Sequence, residues 1–167
     1  MSCSMGEPQA FTAAVVTVSD SCARGEREDL SGPAVVHLLQ KLHLVVTVRE
    51  VISDDSIQIQ NLLIRLAREV HFIVTTGGTG IAERDVTPEA TSAVCDRLLD
   101  GVAERMRGEG LKKTPFAALS RGVCGARGRA LILNLPGSPA GAVESLQAVA
   151  DLIPHAIELL SGKTEHK

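Results

Sequence analysis

The apolar run His71-Phe72-Ile73-Val74 leads directly into Thr75-Thr76-Gly77-Gly78-Thr79-Gly80. The run is rich in β-branched residues and reads as a buried strand. The stretch after it cannot extend that strand, because glycine frees the backbone for positive φ and for close approach to a ligand. Further on comes Arg84-Asp85-Val86-Thr87-Pro88-Glu89-Ala90-Thr91. Thr87 suits a helix N-cap, Pro88 the first helical position, and Glu89 the positive end of the helix dipole. The order is strand, glycine loop, acidic residue, helix. Few folds accommodate it, and in an open α/β sheet such a loop lies where ligands bind, beyond the carboxyl ends of the strands.

Two nucleotide motifs are excluded. A P-loop needs Lys and then Ser or Thr after its last glycine, and Gly80 is followed by Ile81-Ala82. The dinucleotide fingerprint needs a third glycine where Gly78-Thr79-Gly80-Ile81-Ala82-Glu83 has glutamate. The glycines alone fit a plain turn as well as a phosphate cradle. Asp85 tips the balance to the cradle, since an acidic residue in the same loop can hold Mg²⁺ beside a phosphate.

The rest of the chain repeats the strand-helix alternation. Ala13-Ala14-Val15-Val16-Thr17-Val18 reads as a first buried strand and Val45–Ile52 as a second. A helix opens at Ser31-Gly32-Pro33, and another is capped by Ser53-Asp54-Asp55-Ser56. The helix from Pro88 carries Val94, Leu98, Leu99 and Val102 inward and weakens at Gly108-Glu109-Gly110. Pro115–Leu119 suggests a short helix. Gly122 to Asn134 reads as a hairpin turning at Gly125-Ala126-Arg127-Gly128. It ends in the sharp turn Leu135-Pro136-Gly137-Ser138-Pro139. A last helix from Ala140 contains Pro154, which should kink it. The expectation is an α/β three-layer sandwich: a mostly parallel mixed sheet, helices on both faces, and an antiparallel hairpin. Residues 11–162 would form one domain between tails at 1–10 and 163–167.

Composition limits the partners. With 167 residues the chain can bury an ample core. It has three Phe and no Tyr or Trp, too few for a base-stacking platform, and its net charge is −3. Nucleic acid is therefore not an expected partner. No apolar run reaches membrane length. The start lacks a signal-peptide pattern, so the expected location is cytoplasmic. Cys3, Cys22, Cys95 and Cys124 form no Cys-x-x-Cys pair and are expected to stay reduced, with Cys95 a small core residue of a helix. The five histidines show no metal-ligand spacing.

Four loops leave the expected carboxyl end of the sheet: 19–31, 53–56, 75–85 and 134–138. Two of them pair glycine-lined backbone with carboxylates. The motifs Thr75–Gly80 with Arg84–Thr91, Ser120-Arg121-Gly122-Val123-Cys124-Gly125 and Asn134-Leu135-Pro136-Gly137-Ser138 resemble the signature of molybdenum-cofactor biosynthesis proteins. Thr17-Val18-Ser19-Asp20-Ser21-Cys22 and Pro154-His155-Ala156-Ile157 are especially similar to the amino-terminal domain of gephyrin. The resemblance runs from about Phe11 to Leu160.

The resemblance implies a molybdopterin adenylyltransferase, in which ATP and molybdopterin give adenylylated molybdopterin and pyrophosphate with Mg²⁺ as cofactor. It implies catalytic and metal-holding roles for Asp54 and Asp85. Substrate would contact Ser19, Asp20, Thr76, Gly77, Gly78, Thr79, Gly80, Asn134, Pro136, Gly137 and Ser138, with Asp29 and Ser31 as further candidates. It also implies a homotrimer, and a molybdenum-inserting partner or fused domain. Pro139-Ala140 stands where gephyrin carries lysines, leaving Arg84, Arg121 or Arg127 to supply a cation. The alternative is an oligomerising scaffold or pterin-binding module of the same fold; a pure scaffold would need neither the aspartates nor the glycine loop.

Overall fold

The computed structural model describes residues 9–163. The expected tails at 1–10 and 163–167 lie largely outside the described residues. Six strands form one sheet: β1 (Thr12–Val18), β2 (Val45–Ile52), β3 (Phe72–Thr76), β4 (Arg97–Leu98), β5 (Cys124–Arg127) and β6 (Ala130–Leu135). Their order across it is β2-β1-β3-β6-β5-β4. β1 pairs in parallel with β2 and β3, and β3 in parallel with β6. The hairpin β5–β6 and the short β4–β5 ladder are antiparallel. This is the expected mixed α/β sheet.

Strand alternation sorts the core into two layers. On one face Ala13, Val15, Phe72, Val74, Leu131 and Leu133 pack against α2 (Ser31–Lys41), α6 (Pro139–Val149) and α7 (Ile153–Leu160). On the other, Ala14, Val16, Ile73 and Ile132 pack against α3 (Ser56–Leu66) and α4 (Thr87–Val94). β1, β3 and β6 have helices on both sides, so each contains consecutive apolar residues, Ala13–Val16, Phe72–Val74 and Ala130–Leu133, where a one-sided strand would alternate.

Several details of the elements differ from the sequence expectation. The loop after β1 opens with a helical turn, α1 (Asp20–Ala23), whose cap is Ser19. The helix beginning at Thr87 does not reach Leu98. It stops at Val94, Cys95 is extended with ψ 136°, and Arg97–Leu98 pairs with β5 before α5 (Asp100–Leu111) begins. Cys95 therefore lies outside a helix. A Cβ on Gly125 would stand 2.5 Å from its Sγ, so only glycine in β5 lets the two segments come together. α5 continues through Gly108 and Gly110 to Leu111. Instead of a kink at Pro154 there is a 3₁₀ turn at Ala150–Leu152, and α7 starts with Pro154 in its first turn, where its missing N–H costs nothing.

Candidate active site

The carboxyl ends of β1, β2, β3 and β6 bring all four expected loops together. Gly77 (φ 93°) and Gly78 (φ 68°) both take left-handed backbone. A Cβ on Gly77 would meet the Val18 carbonyl at 2.3 Å. A Cβ on Gly137 would stand 3.3 Å from Gly77 Cα, so the turn after β6 lies directly on the glycine loop.

Two cavities flank this contact. The larger, about 730 Å³, lies between Thr79-Gly80 and Pro136-Gly137-Ser138, with Met106, Phe116 and Leu119 giving it an apolar wall. The smaller, about 270 Å³, is lined by Ser19, Arg27, Asp29, Ser31, Thr76 and Gly77 among others. Gly137 and Ser138 line both. Ser138 caps α6 by accepting from Gly141 N at 3.1 Å, so the positive end of that helix points at the junction. A helix start of this kind suits an anion.

Asp20, Asp54 and Asp85 stand beside the loop and line neither cavity. Asp20 and Asp54 are locked reciprocally: Asp20 N donates to Asp54 Oδ2 and Asp54 N to Asp20 Oδ1, each at 3.0 Å. These bonds tie the loop after β1 to the loop after β2. Arg84 Nε donates to Asp20 Oδ2 at 2.9 Å, and this guanidinium holds the Asp20 carboxyl below its usual range. Asp54 is pushed the other way. Burial raises its carboxyl above the ordinary value, and the charges of Asp20 and Asp85 add to the effect. Asp85 turns back on its own loop, where Oδ2 accepts from Ala82 N at 3.0 Å.

Among the described residues no three His, Cys, Asp or Glu side chains gather into a metal-ligating group. A cage made of protein alone is therefore not built here. Mg²⁺ characteristically takes only one or two carboxylates and completes its shell with water and substrate phosphate. A carboxylate such as Asp54, crowded by two others, fits that donor set.

The remaining candidates divide. Thr76 is buried and shares a 2.9 Å hydrogen bond with Ser31. Asp29 accepts from Thr17 Oγ1 and Gly32 N, which holds the start of α2 in place. Asn134 belongs to β6 rather than to a loop and is fully buried. Its Nδ2 donates to Thr75 and Thr91 hydroxyls at 2.9 and 3.0 Å, and its Oδ1 accepts from Val123 N. Asn134 thus supports the loops from beneath. The three candidate arginines are engaged elsewhere: Arg84 with Asp20, Arg127 with the Val94 carbonyl, and Arg121 with the carbonyls of Gly80 and Asp85 and with Glu89. Arg121 clamps the glycine loop. The cations that do line the cavities are Arg27, Arg107 and Lys113. Sequence reading passed over them because single basic residues in polar segments carry no pattern.

The structure defines an α/β protein with two adjoining cavities, a helix N-terminus at their junction and a carboxylate cluster beside them. Residues 14–155 match the family described as probable molybdopterin binding domain, and the chain belongs to that family. It is 42% identical over 152 residues to the molybdopterin adenylyltransferase of Helicobacter pylori, covering 89% of this chain and 86% of the relative. The Escherichia coli molybdopterin adenylyltransferase is 39% identical, at 89% and 84% coverage. Among solved structures, the molybdopterin biosynthesis enzyme MoaB of Thermus thermophilus superposes with a TM-score of 0.87 at 50% identity, covering 92% of this chain and 98% of that one.

Proposed function

We propose that this chain is a molybdopterin adenylyltransferase that moves AMP from ATP to the terminal phosphate of molybdopterin. The observation that carries this reading is the pair of cavities sharing Gly137 and Ser138. A reaction joining two anionic substrates needs two sites with a common wall, and the helix start of α6 gives that wall a positive end.

A phosphate oxygen of the pterin attacks the α-phosphorus of ATP. The new O–P bond forms as the bond to the β-phosphate breaks, and pyrophosphate leaves. The nucleophile is already ionised, so no protein base is required. The chain's part is alignment and charge: glycine-lined backbone admits the phosphates closely, and Ser138, Gly137 and Thr79 shape the junction. Mg²⁺, for which Asp54 and Asp85 are the fitting ligands, would supply neutralisation of the two anions.

The test follows pyrophosphate. With molybdopterin and MgATP it should appear together with an adenylylated pterin. ATP alone should yield only background hydrolysis, because no protein group replaces the attacking phosphate. Adding EDTA should stop turnover. Pyrophosphate released without pterin would overturn the reading. Intact protein that binds neither substrate would favour a scaffold instead.

The assembly proposed with this activity is a homotrimer. Phe116 and Ile81 are 75% and 70% exposed at the rim of the larger cavity, and half-exposed Leu119 adjoins them. A second copy covering this apolar rim would account for it. Light scattering should return three times the chain mass of 17.6 kDa; a stable monomer would exclude the trimer.

A further inference from the structure

Thr87 suits an N-cap by its residue type, yet it is the first residue of α4, behind an N-cap at Val86. Its N–H donates to the Gly78 carbonyl at 3.1 Å. Its side chain is fully buried, and Oγ1 has no hydrogen-bond partner among the described residues. A buried hydroxyl left in that condition opposes folding, and such groups are almost always satisfied.

The direction of this hydroxyl is specific. It stands 2.3 Å from the point where a Cβ on Gly78 would lie. Asp54 Oδ1 stands 3.1 Å from the same point. Asp54 Oδ2 is taken by Asp20 N, so Oδ1 faces the space over Gly78 as an available acceptor. No more than the sum of those two distances separates the hydroxyl from the carboxylate oxygen. A water bridging two oxygens spans roughly 4–5 Å, which falls inside that limit. A Cβ on Gly78 would intrude between the two oxygens, so glycine is required beside them.

We propose that Thr87 is a positioning residue for Asp54, acting through one water held over Gly78. The water donates to Asp54 Oδ1 and accepts from Thr87 Oγ1. Asp54 is then held at both oxygens, by Asp20 N and by Thr87, in a fixed rotamer before substrate arrives. The inference rests on the adenylyltransferase reading for its consequence in turnover, but its geometry stands apart from that reading.

Two variants separate hydroxyl from bulk. Thr87→Val keeps the shape and removes the hydroxyl; Thr87→Ser keeps the hydroxyl and removes a methyl. Turnover in Thr87→Val should fall about 10- to 100-fold, the scale of a catalytic group displaced by an ångström or less. The melting temperature should stay within about 3 °C of the parent, because loss of the hydroxyl also removes its desolvation cost. Thr87→Ser should recover most of the activity. A crystal structure of the ligand-free parent should show a water within hydrogen-bond distance of both Thr87 Oγ1 and Asp54 Oδ1. In Thr87→Val that water should be lost and Asp54 rotated. Turnover of Thr87→Val within twofold of the parent, equal loss in both variants, or an unbridged Oγ1 in the parent crystal would overturn the proposal. If the parent itself transfers no adenylyl group, the functional reading fails, while the water and the Asp54 rotamer still decide the role of Thr87.

Discussion

Asp54→Asn should lose about 10²- to 10³-fold in adenylyl transfer, the usual cost of removing a preorganised electrostatic group, and melt at or above the parent temperature. The two halves of this result have one cause. Burial first, and then the carboxylates of Asp20 and Asp85, hold the Asp54 carboxyl above its ordinary range. The folded protein therefore binds that proton more tightly than the unfolded chain does. Stability from this group falls as the pH rises past the ordinary carboxylate value, and at neutral pH the ionised carboxylate opposes folding. Asparagine keeps an oxygen for the Asp20 N–H and removes the charge. Asp85→Ala should also lose most turnover, with a stability cost of about 1 kcal/mol from the lost Ala82 N–H bond. Turnover and thermal melts of purified variants decide the matter. Parent-like turnover in Asp54→Asn would remove this residue from the active machinery.

Not all of this was legible in the sequence, and the divide has a physical basis. β1, β3 and β6 are flanked by helices on both faces, so each carries a run of consecutive apolar residues that announces itself. The β4 segment has two residues and hence no period to read; its pairing depends on Gly125 making room for Cys95, a contact between distant parts of the chain. The site divides in the same way. The glycine loop and its aspartates were visible because backbone close to a ligand demands glycine locally. The lock between Asp20 and Asp54 joins residues from different loops and exists only once β1 and β2 lie side by side. In the sequence Asn134 precedes Leu135-Pro136-Gly137 and looks like part of a binding turn. In a strand flanked by Thr75 and Thr91, the same amide satisfies interior hydroxyls instead. Type and order of residues foretold which loops meet. Which side chains face the cavities depended on partners that only the fold supplies.

Gly77→Ala should be the most destabilising single methyl that can be added to the loop. Two costs combine there. The backbone sits at φ 93°, outside the range that a residue with a Cβ adopts without strain, a cost of roughly 1–3 kcal/mol. The new Cβ would also lie 2.3 Å from the Val18 carbonyl oxygen. That oxygen belongs to the backbone at the end of β1 and cannot swing aside like a flexible side chain. It is held there because the next residue, Ser19, donates its N–H to Ile52 O at 2.9 Å. Overpacking against such a neighbour costs about 1–3 kcal/mol more. The expected loss is therefore roughly 2–6 kcal/mol, or a fall of about 4–24 °C in melting temperature at roughly 2–4 °C per kcal/mol for a chain of this size. Gly25→Ala supplies the control, since Gly25 has φ 73° but nothing within 4 Å of its would-be Cβ. It should carry only the conformational cost. Because Gly77 also touches Gly137 where the two cavities meet, any Gly77→Ala protein that folds should bind both substrates less well. If the two variants melt together, the Val18 carbonyl moves freely, and the close contact between these loops is not what fixes the site.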